Sequence, residues 1–428
     1  EGCKYVTAEI YEKVRAYREE FHRYPERAWT EYRTSWRIAK RLRQLGFEVF
    51  VGEDVCGVNA RMGVPSPEWL RPYEERARDE GMPPDILEKM RGGHTGVVGV
   101  LWGCLEESKK RAPVVAFRFD IDALPITEEQ TAYNAQYRSI YDGVMHACGH
   151  DGHAAVGLGV AEVLSRYRTE WRGEVRLIFQ PAEEGCHGAA AIVEKGWLDG
   201  VDTLLSGHIG IGCRHLGEIS ACTKGFLATT KLDFYFRGKS AHAGKAPEKG
   251  RNALLSAARF TVDAYGLVDD RDDVKLNVGK FVSGSGRNII AADAHLEAET
   301  RGITQLKNHE LREKMIEVAR RAGQLYGVSV DVEIIGEAGT AGSSPGLVKR
   351  CSACAANMGI AGMFQEEADF GASEDVTIMM ERVQSQGGEA AFFMFGTPLK
   401  AEHHHGAFDF DEKVLEIMTE FYVRFLLG

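Results

Sequence analysis

The chain has 428 residues, more than one compact hydrophobic core usually holds, so we expect two or three domains. Its 44% hydrophobic and 27% charged residues are ordinary for a globular protein, and no apolar run is long enough to cross a membrane. The formal net charge of −11 argues against nucleic acid and anionic membranes as partners. The nine scattered cysteines favour a reducing, cytoplasmic compartment over a disulfide framework.

The chain begins with the pattern of an amphipathic helix. Apolar residues recur there at helical spacing, namely Ile10, Val14, Tyr17 and Phe21. Pro25 ends the pattern. Further along, residues 62–95 are polar and rich in proline and glutamate, and we expect a helical excursion there.

Buried strands alternate with helices from about residue 112. The segments PVVAFRFD, EVRLIFQ and DTLLSGH are short and continuously apolar, which is typical of strands covered on both faces. Between the first two lies HAAVGLGVAEVLSRYR, whose valines and leucine mark one face of a helix. This order predicts an α/β fold with a doubly wound, mainly parallel sheet. The alternation returns after residue 340, with EAAFFMFGTP as a last strand.

A second pattern occupies residues 226–340. The strand-like KLDFYFRG, the helical GRNALLSAARFTVDAY, two further strand-like segments, a long helix and VSVDVEIIG follow one another. This βαββαβ order predicts an open-faced sandwich inserted into the first domain. The predicted organisation is therefore a discontinuous first domain of residues 1–225 and 341–428, and an inserted domain of residues 226–340.

The residues best suited to chemistry come directly after predicted sheet strands. They are Asp120 and Asp122 after VVAFRF, Glu183 and Glu184 after VRLIFQ, and His208 after TLLSG. In open α/β sheets the ligand crevice lies beyond the carboxyl ends of the strands, so these groups should converge. Carboxylates together with histidine and cysteine are the ligands of metal sites.

The stretch VMHACGHDGH gathers metal-capable side chains within residues 144–153. Cys148 and His150 are two positions apart and cannot share a helix face, so a turn before the apolar helix should present them. A thiolate beside an imidazole suits zinc or a similar divalent ion. The alternative is a free buried cysteine, with capping histidines and an aspartate around it.

Glu183 and Glu184 suit metal-assisted hydrolysis. Neighbouring side chains on an extended segment point to opposite sides, so one carboxylate can bind a metal while the other faces the attacking water. The metal lowers the pKa of that water and the second carboxylate takes its proton. The alternative, a solvated acidic pair in a loop, is common but less expected directly after a buried strand.

These motifs resemble those of the zinc-dependent aminoacylase/carboxypeptidase family of metallopeptidases. The resemblance extends over nearly the whole chain, through FHRYPE, DIDALP, MHACGHDGH, QPAEEG, SAHAGKAP, GRNIIAADAHLEAETRG, GASED and FDFDE. Within the family, the chain is similar to the amidohydrolase branch that includes hippurate hydrolases and indole-acetyl-amino-acid hydrolases. Asp120 and Cys148 stand where the peptidase branches carry His and Asp, so peptide substrates are not expected.

The resemblance implies that the first domain is a metal-binding catalytic domain and that the inserted domain is a lid or dimerisation domain. It also implies a site with two divalent metal ions, zinc or manganese. The implied ligands are Cys148, His150, Glu184, His208 and His404, although His403 and His405 leave the last position open by one residue.

The resemblance also implies roles for the residues around these ligands. Glu183 would be the general base and then the acid that protonates the leaving amine, and Asp122 would orient a ligand imidazole. His146 and His153 would form hydrogen bonds and cap instead of binding metal. Asp151 would cap the helix or support a ligand.

Within the inserted domain, the resemblance gives His242 of SAHAGKAP a catalytic role. The family uses this residue, often from a partner subunit, to stabilise the oxyanion, whereas its sequence context alone fits an ordinary loop. Arg287 and Asn288 on a predicted turn, or Arg301 at a strand end, are our candidates for binding the carboxylates of an acidic amino acid. A surface arginine is the alternative.

The expected reaction is hydrolysis of the amide between an aromatic acyl group and an amino acid. The segments RMGVP, FLATTK and GSGRN resemble a subgroup that acts on p-aminobenzoyl-glutamate. Indole-acetyl-aspartate or a general N-acyl amino acid is the alternative substrate. The subgroup also implies a homodimer, or a heterodimer with a related chain that is needed for activity.

Overall fold

The computed structural model describes residues 4–105, 111–269 and 273–428. The helices are α1 (Ala8–Arg23), α2 (Tyr32–Gln44), α3 (Pro67–Asp79), α4 (Pro84–Met90), α5 (His150–Arg166), α6 (Ala189–Glu194), α7 (Ala253–Tyr265), α8 (Gln305–Tyr326), α9 (Pro345–Asn357), α10 (Val376–Ser385) and α11 (Lys413–Leu427). The strands are β1 (Glu48–Val51), β2 (Val97–Trp102), β3 (Val114–Asp120), β4 (Glu174–Gln180), β5 (Thr203–Ile209), β6 (Ile219–Phe226), β7 (Ala228–Arg237), β8 (Val274–Ser283), β9 (Asp293–Gly302), β10 (Ser329–Ala338), β11 (Phe364–Ala372), β12 (Glu389–Phe395), β13 (Leu399–Ala401) and β14 (Asp409–Phe410).

The chain divides into two compact units. Unit 1 comprises Glu1–Gly225, Ala341–Phe370 and Asp375–Gly428, and unit 2 comprises Phe226–Thr340 and Gly371–Glu374. The segment Gly371–Glu374 differs from the boundaries expected from the sequence, which assign it to the first domain.

Unit 1 contains an 8-stranded sheet with the strand order β1-β2-β4-β3-β5-β12-β6-β11. The four central strands, β4, β3, β5 and β12, pair in parallel, whereas the pairs β1–β2, β2–β4 and β12–β6 are antiparallel. Since the three apolar runs predicted as strands are β3, β4 and β5, the predicted mainly parallel sheet is confirmed.

Helix α5 lies in the core of unit 1. Every residue from His150 to Leu164 is buried, which explains why its sequence is apolar on nearly all sides. Gly157 permits close packing on the sheet, because a Cβ atom there would lie 2.5 Å from the Phe179 ring and 2.7 Å from the Phe119 ring. The helix begins at His150, earlier than its apolar pattern indicated.

Unit 2 is an open-faced sandwich. Its elements follow the order β7, α7, β8, β9, α8, β10, and the strands form an antiparallel 4-stranded sheet in the order β10-β7-β9-β8. Alternate side chains of β7 are buried, and Phe234 and Phe236 pack on Phe260 of α7. The predicted βαββαβ arrangement is therefore confirmed.

The predictions for the remaining helices also agree with the structure. Helix α1 occupies the N-terminal amphipathic segment, and α3 and α4 form the helical excursion within residues 62–95. In the described part of the chain, no helix combines the length and apolar character that a membrane span requires. The cysteines described there are free of disulfides.

A buried cluster of charged side chains attaches α1 to α5. The guanidinium of Arg18 donates to Asp151 at 2.9 Å and to Asp409 at 2.7 Å, and all three side chains are nearly inaccessible to solvent. His22, one turn further along α1, contacts the same Asp151 carboxylate at 2.8 Å and Glu128 at 3.0 Å. Because buried charges are tolerated only when paired, these contacts fix the position of α1.

The first prediction concerns the Arg18 ion pairs. Arg18→Leu removes the guanidinium that pairs with two buried carboxylates, so we expect the free energy of unfolding of unit 1 to fall by about 3–5 kcal/mol. The matched control is Arg166→Leu, which breaks an exposed contact between α5 and Glu9 and should have little effect. Urea denaturation followed by tryptophan fluorescence measures this change in unit 1, because all six tryptophans lie there. Equal losses in the two variants would contradict the prediction.

The second prediction concerns pH. Burial opposes protonation of His22, but the Asp151 and Glu128 carboxylates raise its pKa to about 9. A pKa raised above the unfolded value of about 6.5 means that the stabilisation is complete below pH 6.5 and is lost as the pH rises towards 9. The stability difference between the native chain and His22→Gln should therefore shrink over this interval. A constant difference from pH 6 to 9 would show that His22 is not charged in the folded protein.

Candidate metal centre

The parallel strands of unit 1 bring the predicted site residues to one edge of the sheet. β3 ends at Asp120, β4 ends at Gln180, the first residue of QPAEEG, and β5 ends at Ile209, directly after His208. These three strands are parallel neighbours in the sheet. The expected convergence of the polar residues at their carboxyl ends is confirmed.

Cys148, His150 and His208 form a buried group. One ligand atom from each residue lies within 4.8 Å of the other two. The Cys148 Sγ lies 3.4 Å from the His208 Nε2, and the Nδ1–H of His208 donates to the Ile209 carbonyl oxygen at 2.9 Å. The His208 ring therefore turns an unprotonated Nε2 towards the thiol, as a shared cation would require.

His150 is held in the same tautomer. Its Nδ1–H donates to the backbone carbonyl oxygen of Asp122 at 3.0 Å, and the Asp122 Oδ1 lies 3.3 Å from the same nitrogen. The Nε2 is buried and has no hydrogen-bond partner among the described residues. An unpaired buried nitrogen costs about 1–3 kcal/mol unless something binds its lone pair. His150 therefore fits a metal ligand.

Glu183 and Glu184 lie in a tight turn and not on an extended segment. Ala182 has a φ of 55°, and the Cys186 N–H closes the turn by donating to the Glu183 carbonyl oxygen at 2.7 Å. One oxygen from each carboxylate lies within 4.8 Å of the other and of a His150 ring nitrogen. The expectation that the two side chains point to opposite sides is wrong, because the turn gathers them around His150.

Asp122 contacts both of these regions. Its Oδ2 accepts the backbone N–H of Glu184 at 2.9 Å, while its Oδ1 faces His150. One buried carboxylate thus connects the start of α5 with the QPAEEG turn.

The three consecutive histidines near the C-terminus occupy different environments. The His404 Nε2 lies 3.5 Å from the Glu184 Oε1, and the two residues form a metal-capable group with Cys148. His403 instead donates its Nε2–H to a backbone carbonyl oxygen, and the Nδ1 of His405 accepts a backbone N–H. Among the groups found in the described residues, only His404 of the three takes part.

The other polar residues of HACGHDGH differ in their hydrogen-bond partners. His153 donates its Nδ1–H to Asp120 at 2.5 Å, and its Nε2 accepts a backbone N–H. His146 is buried, yet neither ring nitrogen has a hydrogen-bond partner in the described structure, so the bonds expected for it are absent there. Gly149 caps α5, while Asp151 lies in its first turn within the cluster around Arg18.

Burial and neighbouring charges shift the pKa values of this site. Burial, reinforced by the Glu184 carboxylate, raises the pKa of the Cys148 thiol to about 12. Burial also lowers the pKa of His208 well below its ordinary value. For His150, burial opposes the charged form, but Asp120 and then Asp122 raise its pKa well above the ordinary range. The carboxylates thus favour positive charge among these donors.

Glu31 is a buried carboxylate beside the site that the sequence motifs did not reveal. Its Oε1 accepts the N–H of Ala182 at 2.8 Å, and its Oε2 accepts the hydroxyl of Thr95 at 2.6 Å. Burial and the nearby Asp122 raise the pKa of Glu31 well above its ordinary value. The sequence offers only a carboxylate within AWTEY as a signal, and a glutamate before a helix is common.

Unit 2 places His242 beside the turn that carries Arg287 and Asn288. The N–H of Ala243 donates to the Asn288 carbonyl oxygen at 3.0 Å, and His242 itself forms an isolated β-bridge within this turn. Arg287 is exposed and has no ion pair within the described residues.

The His242 ring can donate a hydrogen bond from its Nε2. Its Nδ1 accepts the backbone N–H groups of Gly244 and Lys245, each at 3.2 Å, which leaves the proton on Nε2. Arg301 differs from Arg287, because its Nε and Nη2 both donate hydrogen bonds to the carboxylate of Glu299 on the same strand, β9.

The family model of Peptidase family M20/M25/M40 matches residues 116–428. Together with the relatives described next, this match shows that the chain belongs to this family. The resemblance drawn from the motifs is therefore confirmed, and with it the expectation that the chain is a hydrolase.

The relatives extend over nearly the full length. The chain is 41% identical to one of the subunits of the p-aminobenzoyl-glutamate hydrolase of Escherichia coli (strain K12), covering 97% of this chain and 95% of that protein. It is 40% identical to the Indole-3-acetyl-aspartic acid hydrolase of Enterobacter agglomerans, covering 94% and 93%. Among solved structures, it is similar to an aminobenzoyl-glutamate utilization protein from Klebsiella pneumoniae, with a TM-score of 0.82, 34% identity, and coverage of 98% and 96%.

The third prediction concerns proton release on metal binding. A thiol with a raised pKa must lose its proton to bind a cation, so the apparent affinity for Zn²⁺ should rise from pH 6 to pH 8. Cys148→Asp supplies a ligand that is already ionised, so saturating the variant with metal should release about one proton fewer per protein chain. Isothermal titration calorimetry in buffers of different ionisation enthalpy measures this number. Identical proton release in both proteins would exclude Cys148 as a ligand.

Proposed function

We propose that this chain is a metal-dependent amidohydrolase that cleaves p-aminobenzoyl-glutamate to p-aminobenzoate and glutamate. The near full-length relative from a hydrolase of that name supports the substrate. The observation that carries the reaction type is the Glu183 carboxylate, whose Oε2 lies 3.8 Å from the unpaired Nε2 of His150 within a group of metal-capable side chains.

The thiol, imidazole and carboxylate groups of the site support the binding of two divalent ions, zinc or manganese. We assign the ligands Cys148, His150, Glu184, His208 and His404, since each offers an atom to at least one of the metal-capable groups. A thiolate with imidazoles favours zinc, while carboxylates also suit manganese. When bound, the ions polarise the scissile carbonyl group and lower the pKa of the attacking water.

Glu183 then moves the protons. As general base it takes a proton from the attacking water, and as general acid it gives that proton to the amine of the leaving amino acid. Asp122 holds the Glu184 backbone and faces His150, so it keeps the Glu183–Glu184 turn in place during this exchange. In unit 2, we assign His242 as the donor that stabilises the oxyanion through its Nε2–H.

Selection of an acidic amino acid rests on the turn beside His242. Arg287 presents an unpaired guanidinium with Asn288 next to it, and a guanidinium binds a carboxylate through two parallel hydrogen bonds. Arg301 is a weaker candidate, because its guanidinium already forms two hydrogen bonds with the Glu299 carboxylate.

Two alternatives follow from specific observations. Indole-acetyl-aspartate is the second candidate substrate, because a relative of nearly equal identity carries that name. The Escherichia coli relative is named as one subunit of its enzyme, so activity that requires a related partner chain is the second candidate arrangement, beside a homodimer. We place the enzyme in the cytoplasm, in keeping with the lack of disulfides among the described cysteines.

The fourth prediction tests the reaction. The chain alone, loaded with Zn²⁺ or Mn²⁺, should release p-aminobenzoate from p-aminobenzoyl-glutamate, as measured by chromatography. Glu183→Gln should lower kcat by about 10²–10⁴-fold, because it removes the general base while preserving the shape of the side chain. The control is Glu170→Gln, an exposed glutamate, which should keep full activity. Turnover of indole-acetyl-aspartate alone, or turnover only with an added partner chain, would select the corresponding alternative.

The fifth prediction tests substrate selection. Arg287→Ala should raise KM for p-aminobenzoyl-glutamate by about 10–100-fold, since a hydrogen bond to a charged group contributes about 1.5–3 kcal/mol. Its effect on an N-acyl-alanine should be small, because that substrate lacks the second carboxylate. Arg301→Ala is the matched control and should leave the ratio of the two KM values unchanged. If Arg301→Ala alters this ratio and Arg287→Ala does not, our choice between the two arginines is wrong.

A further inference from the structure

His153 lies among the proposed ligands and forms a metal-capable group with Asp120 and His150. Its ring centroid is 5.5 Å from that of His150 and 4.7 Å from that of His208. Both of its ring nitrogens are already engaged, however, since Nδ1–H donates to the Asp120 Oδ1 at 2.5 Å and Nε2 accepts the Ile209 N–H at 3.0 Å. A metal ion would find no free lone pair on this ring.

Asp120 is engaged in the same way. While its Oδ1 binds His153, its Oδ2 accepts a hydrogen bond from the Arg118 guanidinium at 2.9 Å, and all three side chains are buried. The Arg118 guanidinium therefore pairs with the Asp120 carboxylate, whose other oxygen accepts the Nδ1–H of His153.

This proton determines what the other nitrogen of His153 can do. With Nδ1 protonated, Nε2 of the neutral ring can only accept, and it receives the backbone N–H of Ile209. The carbonyl oxygen of Ile209 in turn accepts the Nδ1–H of His208 at 2.9 Å. The hydrogen bonds thus run without a break from Arg118 to the imidazole of His208.

We propose that Asp120 and His153 form a positioning pair that fixes the tautomer and orientation of His208 through the backbone of Ile209. This inference rests on the proposed ligand role of His208. With the pair intact, His208 keeps its proton on Nδ1 and presents Nε2 to the cation. Without the pair, the Ile209 N–H loses its hydrogen-bond acceptor, and the ring of His208 is less strictly held in its orientation and tautomer.

The test measures Zn²⁺ binding to the purified chain by competition with a chromophoric chelator, with the absorption of bound Co²⁺ as a second readout. His153→Leu should weaken the binding of one ion by about 10–100-fold, the usual cost of losing a group that orients a ligand, and leave the other ion bound. Excess Zn²⁺ should restore binding in this variant. His146→Leu is the matched control, because it removes an equally buried imidazole from the same segment without breaking a hydrogen bond of the described structure.

A double variant decides whether the effect passes through His208. Because the pair acts on the cation only through that ring, His153→Leu combined with His208→Ala should bind Zn²⁺ no more weakly than His208→Ala alone. Additive losses, or unchanged affinity in His153→Leu, would overturn the proposal. If His153→Leu fails to fold, Asp120→Asn decides instead, since it keeps the shape but removes the anion, and it should weaken the same ion.

This experiment distinguishes the inference from the proposed reaction. The titration uses Zn²⁺ and Co²⁺ without substrate, so hydrolysis plays no part in it. A chain that binds two ions with the expected dependence on His153 but hydrolyses no N-acyl amino acid would contradict the proposed function alone. A hydrolase whose metal affinity ignores His153 would contradict this inference alone.

Discussion

The candidate site depends on the contacts that the Asp122 carboxylate makes with Glu184 and His150. This carboxylate follows β3, accepts the backbone N–H of Glu184 at 2.9 Å, and lies 3.3 Å from the Nδ1 of His150. A buried carboxylate needs such donors, because an unpaired charge in the interior costs several kcal/mol. The same requirement that stabilises Asp122 therefore brings the start of α5 and the QPAEEG turn to the end of β3. The pairing of this buried carboxylate therefore brings the proposed ligands and the proposed base close together.

Arg118 likewise connects separate segments of the chain, in the sheet beneath the site. Its guanidinium donates to Asp120 at 2.9 Å, to Gln180 at 2.7 Å and to Asp375 at 2.9 Å, and so it connects β3, β4 and the residue before α10. The motif resemblance places a His of the peptidase branches at the position of Asp120, whose two oxygens are occupied here by Arg118 and His153. In this chain the residue therefore supports the side chains around the proposed ligands.

Much of the fold and part of the site could be predicted from the sequence. The strands β3, β4 and β5 are continuous apolar runs, so their positions were evident, and their parallel order places His208 and Glu184 at one edge of the sheet. The conformation of the Glu183–Glu184 turn could not be predicted in this way. The φ of 55° at Ala182 accompanies a hydrogen bond to Glu31, which lies 151 positions away in the chain. Local pattern carries no information about such a partner.

The sequence by itself determined which chemical groups this protein brings to its site, because motif spacing and the ends of apolar strands are local properties. For the same reason it also determined the βαββαβ order of unit 2 and the succession β3, α5, β4 and β5 in unit 1. Only the tertiary structure decided which nitrogen of each histidine remains available. His153 is occupied by Asp120 and a backbone N–H, whereas the Nε2 of His150 is unpaired, although the two residues share one helix. That difference depends on hydrogen-bond partners from distant strands and loops, which meet only when the sheet is assembled.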